Sequence, residues 1–327
     1  MAHYLITGAA GFIGSRVAEM LLEAGHTVEG ADNLNDAYDR RLKDYRLARL
    51  QGRAGFVFHP LDITNRESVL ALGKRPRYDA VINLAARAGV RYSVENPWVY
   101  IQTNTTGVLN LLEMCRRAGV PKFVQASTSS LYGKGNRVPY REDANTDRVL
   151  SPYAASKKAA EALCHTYHHL YGLDITVFRY FTVYGPAGRP DMAPFRFIQW
   201  ISEGKPLHLF GDGSQSRDFT YVDDIARGTI LGLKPLGYEI INLGNDHPYT
   251  VRELIRLIEE AVGRKAQIVH EPRHPADVET TWASIEKARR LLGWAPAMAL
   301  PEGIRRTVAW YQAERAWAAQ VSTGEMT

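Results

Sequence analysis

Tyr153 and Lys157 stand four residues apart directly after Ser151 and Pro152, and no other Tyr in the chain is followed by a Lys at that interval. Ser favours the N-cap position and Pro the first helical position, so a helix is predicted to open here with Tyr153 in its first turn. Residues four apart on a helix are neighbours, which sets the ammonium beside the phenol. A phenol with pKa near 10 is a poor base at neutral pH, and lowering it by about 3 units takes roughly 4 kcal/mol of preferential stabilisation of the phenolate. The Lys157 ammonium, the positive end of the new helix and a cationic cofactor ring would each contribute. The pair reads as a base for sugar-hydroxyl chemistry. An amphipathic helix with an ordinary surface Tyr and Lys gives the same spacing, so the pair takes its meaning from the residues around it.

The elements that must position it begin at the N-terminus. Short β-rich runs at residues 4–7, 27–31, 55–59, 80–84, 122–126 and 174–178 alternate with helical apolar spacing at 16–24, 108–118 and 152–170. Repeated strand, helix and strand predict a parallel sheet covered by helices on both faces, a doubly wound Rossmann-type α/β fold. Between the first strand and first helix lies Thr7-Gly8-Ala9-Ala10-Gly11-Phe12-Ile13-Gly14, where a dinucleotide-binding turn belongs. Gly8 permits the tight turn, Gly11 lets a pyrophosphate approach the backbone, and Gly14 lets the helix pack close to the strand. Asp32 closes the second strand, where a carboxylate accepts ribose hydroxyls and repels a 2′-phosphate, so NAD is expected over NADP. Asn33 follows it. Asp62 and Ile63 end the third strand, and Leu84-Ala85-Ala86 ends the fourth with small residues.

After about residue 183, Gly185-Pro186, Gly188-Arg189-Pro190 and Pro194 mark loops. The expected organisation is an NAD-binding unit over 1–183, with a return segment near 218–244, and a smaller C-terminal α/β substrate-binding lobe over 184–327. With 45% hydrophobic and 23% charged residues, composition is that of a soluble enzyme, and no apolar stretch is long enough to span a membrane. Met1-Ala2-His3 leads into the first strand without a signal-peptide pattern, so a cytoplasmic location is expected. Cys115 and Cys164 lack metal-ligand spacing and read as buried fillers; His165, His168 and His169 lack acidic companions, and no metal is expected. The net charge of +5 is scattered among acids, which favours a small charged substrate over nucleic acid.

The glycine turn, Asp32, Asp62-Ile63, Leu84-Ala85-Ala86, Asn104, the Ser/Thr tract before Tyr132-Gly133, the Tyr153/Lys157 pair, Tyr180-Phe181-Thr182 and Arg217-Asp218-Phe219 together resemble the extended short-chain dehydrogenase/reductase family, specifically its nucleotide-sugar epimerases and dehydratases. The resemblance covers nearly the whole chain. It implies that Thr128 hydrogen-bonds the reacting hydroxyl, that Asn104 orders the cofactor region, and that Tyr180 and Phe181 lie beside the cofactor. Lys157 is implied to hold the nicotinamide ribose and to lower the Tyr153 pKa. Arg217 and Arg273 are implied to clamp a substrate diphosphate, with Asp277 at the nucleotide ribose; a guanidinium offers phosphate two parallel donors where Lys offers a point charge. A homodimer formed through the Tyr153 helix and the preceding long helix is implied in the same way.

Further runs, Asp32-Asn33-Leu34-Asn35-Asp36, Ala88-Gly89-Val90-Arg91-Tyr92-Ser93 and Arg189-Pro190-Asp191-Met192-Ala193 among them, resemble the branch that epimerises UDP-glucuronate. The implied reaction has Tyr153 take the C4 hydroxyl proton, directly or through Thr128, while hydride passes to NAD. The 4-keto sugar turns and is reduced on its other face, giving UDP-galacturonate with no net redox change. This intermediate is a β-keto acid, which loses carbon dioxide when the breaking bond aligns with the carbonyl π system, so the carboxylate must be held out of that alignment. Ser129, Ser130 and Thr182 would do this with hydroxyls, and Arg189 is the candidate cation near the same group. Decarboxylating relatives carry Glu at the position of Ser130, and 4,6-dehydratases an Asp-Glu pair at Ser129-Ser130; neither acid stands here. Leu131 and the loop Gly211-Asp212-Gly213-Ser214-Gln215 depart from this branch, and the loop resembles neutral-sugar relatives. A neutral UDP-hexose 4-epimerase, a UDP-glucuronate decarboxylase and a non-catalytic NAD-binding protein are the alternatives.

Overall fold

The structure is a computed structural model that describes residues 1–74, 77–272 and 278–324. The described strands are β1 (His3–Thr7), β2 (Thr27–Asp32), β3 (Phe56–Pro60), β4 (Ala80–Asn83), β5 (Lys122–Thr128), β6 (Asp174–Tyr180), β7 (Thr182–Tyr184), β8 (Pro206–Phe210), β9 (Ser216–Tyr221), β10 (Tyr238–Leu243), β11 (Pro248–Thr250) and β12 (Gln267–Glu271). Seven of them form one sheet in the order β10-β6-β5-β4-β1-β2-β3, and every neighbouring pair is parallel. This is the doubly wound sheet expected from the sequence. The order reverses between β1 and β4, and in such sheets the crevice beyond the strand ends at that point receives the ligand.

Side chains of a strand alternate between faces, and a sheet covered on both sides needs apolar residues in both registers. Leu5, Phe123, Ile175 and Val177 face one core, closed by Leu111, Leu112 and Cys115 of helix Gly107–Ala118 and by Ala160 and Cys164 of helix Pro152–Tyr171. Ile6, Val124, Phe178 and Tyr180 face the other, closed by Val17, Ala18 and Leu21 of helix Phe12–Glu23 and by Ile225 and Ala226 of helix Val222–Leu231. Both cysteines are buried and free. A third core gathers around Phe197, Trp200, Leu207, Tyr221, Ile255 and Tyr311, beneath a three-stranded sheet β11-β9-β7 and a two-stranded pair β12-β8.

Two elements positioning the site carry no apolar periodicity. Helix Arg41–Ala48 buries Lys43 and Arg46 together with Leu42 and Leu47, so its inward face is half charged. Residues Gln102–Thr106 form a π-helical turn between Pro97–Ile101 and Gly107–Ala118; such turns insert a residue to re-aim a side chain, here Asn104.

Candidate active site

The candidate residues converge because they end parallel strands: the glycine turn follows β1, Asp32 closes β2, Asp62 follows β3, Leu84 follows β4, Thr128 closes β5 and Tyr180 closes β6. Gly8 adopts φ +70°, and a Cβ there would lie 2.6 Å from the Ala85 amide nitrogen. A Cβ on Gly14 would lie 2.1 Å from the Gly8 carbonyl oxygen, so no side chain fits at either position. Gly11 caps helix Phe12–Glu23 with no side-chain hydrogen bond, which leaves the first-turn amides available to an anion. The Asp32 carboxylate accepts from the Ala10 amide at 3.2 Å and the Leu34 amide at 2.9 Å. A carboxylate offers about four acceptor sites, so two are left for ribose hydroxyls. Asn33 donates to Asp62 at 2.7 Å and ties the second strand end to the third. Burial opposes the Asp62 charge, and the Thr64 amide and Asn33 outweigh it, so its pKa is lowered. This cradle fits NAD.

Asn104 is fully buried and joins cofactor side to base side. It accepts from the Arg87 amide at 2.9 Å and donates to the Arg87 carbonyl and to Ser156 Oγ, each at 2.9 Å. Ser156 lies on the helix that carries Tyr153, opened as predicted by Ser151, whose hydroxyl accepts from the Ala154 amide at 3.2 Å. Thr128 stands beside the Tyr153 phenol, and its Oγ1 lies 3.2 Å from Ser130 Oγ. Burial pushes the Tyr153 pKa up, while the Thr128 hydrogen bond and the Arg189 charge pull it down. Lys157 donates to the Ala126 carbonyl at 3.0 Å, and burial lowers its own pKa to about 8. Arg189 adds a second cation at this site to the Lys157 expected from the sequence.

Arg189 donates to the Ala88 carbonyl at 3.2 Å and pairs with Asp191. Ser129, Ser130 and Thr182 are partly exposed around this centre. Phe181 is buried against the rings of Tyr132 and Tyr140. Tyr180 turns its side chain away, its hydroxyl 2.8 Å from Thr229 Oγ1 inside the core, so only its main chain remains for a ligand. Arg217 lies on β9 and donates to the Ser216 carbonyl at 2.8 Å. Its neighbour Asp218 is fully buried, accepts from the Ala283 amide at 3.0 Å and Thr220 at 3.2 Å, and is pushed up to about 6 by burial. Arg273 and Asp277 lie outside the described residues. The histidines at 165 and 169 are exposed, and no metal-ligating cluster occurs among the described residues.

Two residues at the site escaped the sequence reading. Lys43 is buried with its Nζ 2.9 Å from Asn35 Oδ1 and 3.8 Å from Asp32 Oδ1. Arg46 is buried between the glycine turn and the loop that carries Arg189. Their only sequence signal is a three-residue spacing that puts both on one helical face.

Residues 4–244 match the NAD dependent epimerase/dehydratase family, and the chain belongs to it. Among its relatives, a UDP-glucuronate 4-epimerase of Thermodesulfobacterium geofontis is 58% identical over 95% of this chain and 96% of its own. The Bacillus cereus UDP-glucuronic acid 4-epimerase, solved with UDP-glucuronic acid and NAD, superposes with a TM-score of 0.89 at 36% identity, covering 95% of this chain and 99% of that one. A UDP-glucose 4-epimerase of Thermotoga maritima, solved with UDP-glucose, gives a TM-score of 0.89 at 33% identity over 96% and 99% of the two chains.

Proposed function

We infer that this chain is an NAD-dependent 4-epimerase that interconverts UDP-glucuronate and UDP-galacturonate. The observation that carries this reading is the 58% identity, over 95% of the chain, to a UDP-glucuronate 4-epimerase. Bound in the glycine cradle, NAD supplies the hydride acceptor and donor for oxidising and re-reducing C4. Gly8, Gly11, Phe12 and Ile13 would take the pyrophosphate, Asp32 and Asn33 the adenosine ribose, and Asp62 and Ile63 the adenine edge. Leu84, Ala85, Ala86, Asn104, Tyr180 through its main chain, and Phe181 would line the remainder.

Tyr153 takes the C4 hydroxyl proton and returns it, with Thr128 hydrogen-bonding both phenol and sugar oxygen. Lys157 binds the nicotinamide ribose. Ser129, Ser130, Thr182 and Arg189 hold the carboxylate out of the plane that would let carbon dioxide leave. Arg217 and Arg273 anchor the diphosphate, and Asp277 the nucleotide ribose. We divide the chain into an NAD-binding part, 1–183 with the return segment near 218–244, and a sugar-nucleotide part, 184–327. The membership of β10 in the large sheet supports that return. A cytoplasmic homodimer belongs to the same proposal. Exposed Trp98, Ile101 and Leu109, with Leu170 and Tyr171 at the end of the Tyr153 helix, support an apolar pairing face.

Likeness to the Thermotoga maritima UDP-glucose 4-epimerase favours a second reading, epimerisation of neutral UDP-hexoses. Proton NMR of the purified protein with each UDP-sugar separately, without added NAD, decides between them. A two-way UDP-glucuronate/UDP-galacturonate equilibrium is expected; turnover of UDP-glucose alone would replace the reading with the second, and release of carbon dioxide would make the chain a decarboxylase.

A further inference from the structure

Arg46 is 2% exposed and spends its guanidinium on main-chain oxygens from two distant segments. Its Nε and Nη2 reach the Ala187 carbonyl at 2.9 and 2.6 Å, Nη2 also reaches the Gly188 carbonyl at 3.1 Å, and Nη1 reaches the Ala10 carbonyl at 3.4 Å. Nη1 donates as well to the Tyr38 hydroxyl at 2.7 Å, and the rings of Phe12 and Tyr38 flank the group at 5.7 and 5.5 Å. Ala10 and Phe12 belong to the glycine turn; Ala187 and Gly188 immediately precede Arg189. Ala187 holds φ +51°, a left-handed conformation that costs a residue with a Cβ about 1–2 kcal/mol and persists only where the surroundings enforce it.

We propose that Arg46 is a positioning residue that locks the loop of residues 185–189 onto the nucleotide turn and thereby fixes the Arg189 guanidinium beside Tyr153. It acts through Arg189 and touches neither phenol nor sugar, so the proposal rests on the reading of Arg189 as the cation of the sugar site. A lysine keeps the charge but cannot donate to three carbonyls and a hydroxyl from one planar fork.

The test is a double-mutant cycle on the NAD-loaded protein with Arg46→Lys, Arg189→Gln and the pair, read by kcat and KM for UDP-glucuronate. Amide hydrogen exchange over residues 185–190 and the bound-NAD content are measured alongside. Each single variant is expected to lose about tenfold in kcat, with KM changed less than about twofold in Arg46→Lys, and the double variant to lose no more than the worse single. Exchange over 185–190 should rise about tenfold in Arg46→Lys with NAD content unchanged. Wild-type kcat and exchange in Arg46→Lys, with Arg189→Gln still impaired, would overturn the proposal and leave the Arg189 reading standing. Multiplying losses in the double variant would also overturn it. An unimpaired Arg189→Gln would sink the Arg189 reading and the proposal together. Should Arg46→Lys fail to fold, Tyr38→Phe removes one of its partners and should raise exchange over the same residues; unchanged exchange there overturns the lock.

Discussion

The glycine turn and the loop of residues 185–189 approach the same centre and are held there by opposite means. The turn is fixed by what its residues lack: side chains at Gly8 and Gly14 would collide with main-chain atoms at 2.6 and 2.1 Å. The loop is fixed by what a distant residue adds, with Arg46 closing on its carbonyls from 141 positions away. Steric exclusion constrains residue type locally, whereas a long-range donor to main-chain oxygens places no demand of its own on the side chains of the loop it holds. A cofactor that stays in place suits the first device.

Substitutions on each side should separate these roles. Tyr153→Phe strikes the chemistry and spares the turn, so epimerisation should fall roughly 10³-fold, the scale of a lost general base, with bound NAD unchanged by absorbance. Gly14→Ala does the reverse. It should strip NAD and lower stability by about 3 kcal/mol in urea unfolding, through overpacking against Gly8.

Asp218, behind Arg217, sharpens the comparison from the substrate side. Burial raises its pKa from 3.8 to about 6, so the folded chain binds its proton more tightly than the unfolded chain does. Its contribution is therefore full below about pH 4 and is lost as pH rises through 6, by roughly 3 kcal/mol at about 1.4 kcal/mol per unit. Asp218→Asn should flatten that fall when unfolding is followed across the interval. The smallest effect belongs to Thr128→Ala. Its hydrogen bond pulls the Tyr153 pKa down against burial, so removing it raises that pKa. The phenolate is the working base, present above its pKa, so the acid limb of kcat/KM should move to higher pH and activity at neutrality should fall.

The same contrast explains what could be read from the sequence. The β1 to β6 ladder follows from apolar runs punctuated by helices, and the NAD turn from glycines that nothing else can replace. Ser151 and Pro152 announced the Tyr153 helix because a cap is a local chemical fact. The π-turn that aims Asn104, and the charged inner face carrying Lys43 and Arg46, gave no periodic signal, since hydrogen bonds to remote carbonyls impose no spacing on the helix that makes them. Tyr180 illustrates the converse: its motif placed it correctly at the end of β6, but side-chain alternation along the strand sends its hydroxyl to Thr229. Lys157 follows from its spacing to Tyr153, while Arg189, 36 residues beyond the phenol in sequence, carries no local signal that ties it to that side chain.

The central claim is that C4 is oxidised and reduced again within one site, with Tyr153 carrying the proton. UDP-glucuronate bearing deuterium at C4, converted without added NAD and followed by NMR, tests it most directly. The account predicts UDP-galacturonate that keeps the deuterium at C4, formed by the wild-type protein and roughly 10³-fold more slowly by Tyr153→Phe. Deuterium washed into solvent during epimerisation, or undiminished conversion by the Tyr153→Phe protein, would contradict it.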